Sequence, residues 1–148
     1  MHSPNLDGST HINIYSKAST ELGRFLTNFA LSSITIEDGN FKSIEGYWYW
    51  LGTHNEQLRT LYGFKAKQFG KSLTRVIKLT EDVFRKKIQE ACWIKLHSSQ
   101  KYLTLFKNSS LPFTHYYVFG TKVHDAGYEW LIYMWEYYRT YIKNGYKF

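Results

Sequence analysis

One cysteine, two prolines and no long apolar run mark this chain of 148 residues. A single thiol, Cys92, rules out an internal disulfide and a thiolate zinc cluster. It lies on the apolar side of a predicted helix with no reactive motif around it, so it reads as an inert core thiol. Nothing approaches the roughly 20 consecutive apolar residues of a membrane-spanning helix. "MHSPNLDGSTH" has neither the basic start nor the apolar stretch of a signal peptide, and the expected location is the cytoplasm. The six histidines form no HxH, HxxxH or HExxH spacing. No metal and no cofactor is therefore expected. "FGKS", residues 69–72, ends like a phosphate-binding loop but lacks its first glycine and the preceding apolar strand. No GxSxG is present.

What the chain does have is positive charge and rings. Nineteen basic residues against 12 acidic give a net charge of +7, and there are 13 tyrosines, 10 phenylalanines and 5 tryptophans. That charge favours an anionic partner. Together with the rings it allows a single-strand nucleic-acid surface, the less favoured reading here. The basic residues are scattered, "FRKK" (84–87) being the densest group, and it suits a solvated helix face. The aromatics follow helical or strand spacing, which assigns most of them to a core.

Length and the absence of repeats or linkers predict one domain over residues 11–148, preceded by a flexible tail over 1–10. "HINIY" (11–15) alternates like a half-buried strand. "SITIEDGNFKSI" reads as a hairpin turning at "EDGN". A short helix over 45–51 places Tyr47, Trp48 and Leu51 on one face, and a second helix lies near 56–62. "GFKAKQFGKSL" is a short helical or irregular bridge. Thr80 caps a long helix to about residue 97, with Glu81 and Asp82 in its first turn and Phe84, Ile88, Ala91, Cys92 and Leu96 as its apolar stripe. "SSQKYLTLF" is a further short helix and "HYYVFG" a strand ending at Gly120. Asp125 is the expected cap of a last helix over 125–142, where Tyr128, Leu131, Met134, Trp135, Tyr138 and Ile142 recur at helical spacing. The fold class is α+β: several helices around a small antiparallel element.

Three stretches set polar groups beside aromatics: "RFLTNF" (24–29), "SIEGYWYW" (43–50) and "YYVFGTKVHDAGYEW" (116–130). Glu45 stands directly before Gly46, Tyr47, Trp48, Tyr49 and Trp50. It either starts a helix, where its charge suits the positive end of the dipole, or lies at the rim of an aromatic-walled cleft.

At these residues the chain resembles the YbiA-like, or NADAR, family. "IYSKASTELGRFLTNF" corresponds to the family's opening strand and "SNF" stretch, and "IEDGNFKSIEGYW" to its "DG…SxExY" segment. "AKQFGKS" is similar to its alanine–glycine stretch, "FRKKIQEACWIKLHSSQKYLTLF" to its long and following short helix. "YYVFGT" and "WLIYMWEYYR" match the "WG" turn and the terminal helix ending in arginine. The likeness spans about residues 12 to 140 and extends to small members found in tailed phages, for which it implies the host cytoplasm.

The resemblance implies a single YbiA-like domain and cleavage of N-glycosidic bonds in ADP-ribosyl or related ribosylated compounds. It puts Glu45 at the catalytic carboxylate, to direct water or stabilise an oxocarbenium-like centre. It assigns Thr27, Asn28, Phe29, Tyr47, Phe119, Gly120 and Thr121 to ligand binding. The sequence departs from the pattern where Gly52 takes a lysine position, Tyr49 a glutamine, Phe119 the tryptophan and Thr121 an acid. Two readings follow. One is a divergent member with reduced or absent glycosidase activity, binding a nucleotide- or ADP-ribose-like molecule or a protein partner; these departures favour it. The other is an active N-glycosidase.

Overall fold

The computed structural model describes residues 3–147; the first two positions of the expected tail and the last position of the expected domain lie outside the described residues. Six α-helices and three two-stranded sheets make an α+β fold among those residues. They divide into two compact units, residues 3–27 with 100–147, and residues 28–99.

In the first unit β1 (Ile12–Asn13) pairs in parallel with β4 (Phe113–Thr114). The pair is only two residues long, and a buried side chain extends it. The Asn13 amide oxygen accepts from Tyr116 N–H (3.0 Å) and the Thr114 hydroxyl (3.1 Å), and its NH2 donates to Tyr116 C=O (2.8 Å). The expected tail is hydrogen-bonded over residues 3–10. Pro4–Leu6 make a 3-10 turn, and the two Asp7 oxygens accept from the backbone N–H groups of Asn13 and Ser19. α1 (Glu21–Leu26) is capped by Thr20, and its Phe25 ring stacks at 4.1 Å on Tyr102 of α5 (Gln100–Asn108).

β5 (Tyr116–Phe119) and β6 (Lys122–Asp125) form an antiparallel hairpin, which corrects the expectation for the segment after Gly120. Asp125 is the last residue of β6, paired with Tyr116, and does not cap the final helix. Its carboxylate accepts instead from Gly127 N–H (2.8 Å). α6 (Glu129–Lys143) begins four residues later than expected, after a left-handed Tyr128. Gly120, at φ +60°, lets the chain reverse in two residues, and backbone pairing then outcompetes early helix entry. The arginine of the terminal helix is structural: the Arg139 guanidinium lies 4.2 Å above the Phe113 ring and donates to Ser109 Oγ, Leu111 C=O and Glu136. Glu136 in turn accepts from Phe113 N–H (2.9 Å). Trp135 closes this core edge-on against Phe106.

In the second unit β2 (Ile34–Ile36) and β3 (Gly39–Phe41) form the expected hairpin, with Ile34 opposite Phe41. α2 (Ile44–Thr53) starts at Ser43, whose Oγ accepts from Gly46 N–H (3.0 Å) and donates to Leu61 C=O (2.8 Å). Tyr47 and Leu51 are buried as expected; Trp48 is only half-buried, edge-on to Phe84, and Trp50 takes the inward place. The expected second helix is a 3-10 helix over Glu56–Thr60, and the bridge after it is the regular helix α3 (Gly63–Ser72). The Arg59 guanidinium packs on Phe41 (4.6 Å) and Trp50 (4.8 Å) and pairs with Glu56. α4 (Glu81–His97) is capped by Thr80 and buries Ile88, Ala91, Cys92, Lys95 and Leu96. Burial pushes the Cys92 thiol up to about 12, so it is held as the unreactive thiol. Burial also brings the Lys95 ammonium down to about 8.

Candidate functional site

Glu45 is the second residue of α2, and its backbone N–H donates to Asn28 C=O at 2.9 Å. Phe29, the next residue, accepts from Gly63 N–H at 2.8 Å, where α3 begins. Two adjacent carbonyls of the "TNF" stretch thus hold the starts of two helices. Lys67 of α3 places its ammonium 5.9 Å from the centre of the Phe29 ring. Asn28, Phe29, Glu45 and Lys67 are therefore gathered within this unit.

Two glycines allow α2 to be enclosed so closely. A Cβ on Gly46 would stand 2.4 Å from the carbonyl oxygen of Leu58. One on Gly70 would stand 2.2 Å from the Tyr49 ring. The face of α2 carrying Glu45, Tyr49 and Gly52, at i, i+4 and i+7, is the face that meets α3 and the segment after it.

The environment of Glu45 is unusual for a carboxylate in a helix's first turn. The residue is 9% exposed, buried rather than at a rim. Burial pushes its carboxyl up to about 7, against the opposing pull of the Lys67 and Lys71 ammoniums. Its oxygens have no hydrogen-bond partner among the described residues, yet neither is wholly enclosed. A carboxyl that is desolvated, unpartnered and still reachable, with an affinity for protons near neutrality, suits acid–base work.

The other sequence-derived residues divide. Tyr47 is buried against Phe41 and Trp50, and its hydroxyl donates to Asp38 at 2.6 Å. Burial alone would raise the Asp38 carboxyl; the Tyr47 hydroxyl and the Lys87 ammonium outweigh it and hold it below the usual value. Thr27 is buried at the C-terminal end of α1, in the first unit. Phe119, Gly120 and Thr121 form the tip of the β5–β6 hairpin, also in that unit, with Phe119 68% exposed. On the same face of that hairpin Tyr117 stacks on His124 (5.3 Å), and Phe119 meets both edge-on.

The structure of the E. coli protein YbiA, determined by NMR, is similar to this one: TM-score 0.70, 18% sequence identity, 92% of this chain and 86% of that one covered. The fold is that of YbiA. No protein-family model matches the chain, and no curated protein matches it. The expected YbiA-like α+β fold is thus present. Among the described residues no group of three or more histidine, cysteine, aspartate or glutamate side chains could hold a metal ion, and no helix is long and apolar enough to cross a membrane.

Sequence reasoning missed Lys67 and Lys71. The signal was there: "GFKAKQFGKSLTRVIK" (63–78) carries five basic residues, and no acid lies between Glu56 and Glu81. Two of the five recur at i and i+4, on one side of α3.

Proposed function

We propose that this YbiA-fold protein hydrolyses N-glycosidic bonds of ADP-ribosyl or related ribosylated compounds, with Glu45 as the acid–base group. The observation that carries this reading is the buried, unpartnered Glu45 carboxyl, raised to about 7 beside two lysines. Breaking a bond at an anomeric carbon builds positive charge there. A carboxylate beside it stabilises that charge or takes a proton from the attacking water. With a proton affinity near neutrality, Glu45 is present in both forms at working pH, so it can also return a proton to the departing base. Burial excludes bulk water from the carboxyl and strengthens its interaction with a developing cation.

A second reading, binding of a nucleotide-like ligand without turnover, is favoured by Gly52, which offers no functional group on the Glu45 face. Incubation with ADP-ribosylated guanine and ribosylated bases, watching for released base, separates the two. The proposal expects release, and a loss of about 10²–10⁴-fold in Glu45→Gln. Binding with no release in the wild-type protein selects the second reading. Binding to single-stranded nucleic acid that weakens steeply with added salt, and is unchanged in Glu45→Gln, selects the surface-charge alternative.

A further inference from the structure

The last helix carries rings on both of its sides. Leu131, Met134, Trp135, Arg139 and Ile142 of α6 face inward and are buried. On the opposite side Glu129, Tyr133, Tyr137, Thr140 and Lys143 are exposed, at i, i+4, i+8, i+11 and i+14. Tyr133 is 67% exposed and Tyr137 53%, so both rings stand in water. An outward helix face ordinarily carries charge. That of α4 does, with Glu81, Asp82, Lys86 and Glu90 exposed. The outer strip of α6 has none between its two ends. The charges in mid-helix, Glu136 and Arg139, are engaged with each other and with the backbone at Leu111 and Phe113.

The strip begins with an anion and ends with a cation. Among the described residues neither Glu129 nor Lys143 takes part in an ion pair. They stand about 21 Å apart along the helix axis, too far to meet within one chain. The far end is held in place: Asn144 and Tyr146 N–H donate to Thr140 and Tyr141 C=O at 3.1 and 2.9 Å, around Gly145 at φ +69°. A second α6 laid antiparallel on the first sets each Glu129 against the Lys143 of the other copy. The helix dipoles also oppose one another in that arrangement. Tyr133 and Tyr137 of both copies then surround the two-fold axis at mid-helix. Nucleic acid does not suit the strip, which offers no cation between its ends to meet phosphates.

We infer that the outer face of α6 docks a second copy of this chain, antiparallel, through Tyr133 and Tyr137 with Glu129 and Lys143 paired reciprocally. Tyrosine supplies a large, stiff contact area and can keep its hydroxyl in water at the rim. One helix of 15 residues makes a small interface, so the dimer forms and dissociates with concentration. The charged ends set its direction, because a parallel pairing would bring like charges together at both. This association does not depend on the glycosidase reading.

The test is sedimentation equilibrium of the intact protein from micromolar to millimolar concentration. The average mass is expected to rise from that of one chain towards that of two. Tyr133→Ser is expected to weaken association about tenfold, as the loss of a central ring. Leu31→Ser, at an exposed apolar residue elsewhere, leaves it unchanged. Glu129→Lys and Lys143→Glu are each expected to weaken it about tenfold, since either one makes both end pairs repulsive. Lys143→Glu lowers the net charge from +7 to +5, so overall charge alone would predict tighter association. An equimolar mixture of these two variants is expected to associate like the wild type, because every end again meets its opposite. Unchanged helix content by circular dichroism shows that each variant is folded. A single-chain mass at every concentration, no loss in Tyr133→Ser, an equal loss in Leu31→Ser, or a mixture no stronger than its components would overturn the inference.

Discussion

The start of α2 and the tip of the β5–β6 hairpin look alike in sequence and differ in structure. Both set glycine and a polar residue beside rings: "EGYWYW" at one, "YVFGT" at the other. At α2 the polar group is buried and two lysines of α3 act on it. At the hairpin the glycine and threonine turn the chain, and Phe119 is exposed. Their glycines differ in the same way. Gly46 is required by a neighbour, the carbonyl of Leu58; Gly120 has nothing within 4 Å and is required by its own backbone angle. Composition beside an aromatic run thus does not define an environment. The second element that packs on it does, and at α2 that element is α3.

Substitutions that act on only one of the two regions sharpen this contrast. The largest effect is expected from pH. The Glu45 carboxyl binds its proton more tightly folded, at about 7, than at its ordinary 4.5. The folded state then holds more protons than the unfolded state between these values, and stability falls as pH rises through that window, by about 3 kcal/mol at most. Urea unfolding of wild type and Glu45→Gln at pH 4.5 and pH 8 isolates this contribution: the wild type should lose stability relative to the variant. A constant difference would remove the contrast. Gly46→Ala comes next, since its methyl group must displace the backbone of the 3-10 helix; a loss near the upper end of the 1–3 kcal/mol of an overpacked core, about 3 kcal/mol, is expected by denaturation. Gly120→Ala meets no atom but strains a left-handed residue, for a loss of about 1 kcal/mol. Phe119→Ser is expected to change stability by no more than about 0.5 kcal/mol, as for an exposed site.

Local signals in the sequence were read well where one element decides the outcome. Ile34 and Ile36 alternate into "EDGN", and the hairpin has that register. Thr80 with Glu81 and Asp82 starts α4. What escaped depends on distant partners. Lys122, Val123, His124 and Asp125 lean toward strand only because β5 is there to pair with them. The Tyr47 hydroxyl donates to Asp38 of the preceding hairpin, a partner that no spacing within α2 reveals. The Arg75 side chain lies over Gly52 although the two are 23 positions apart, and no spacing rule within one helix could join them. Glu45 was found, but its burial was not, because it depends on Gly46 and Gly70 letting Leu58 and Tyr49 close in around α2, contacts that join different elements.

The account turns on the state of one carboxyl. Titration of the Glu45 side-chain carboxyl carbon by NMR, assigned by its loss in Glu45→Gln, reads that state without any substrate. The structure predicts a midpoint of about 7, rising further in Lys71→Met as one opposing positive charge is removed. A midpoint near 4.5 that ignores Lys71 would mean a solvated helix-end glutamate, and would contradict the account.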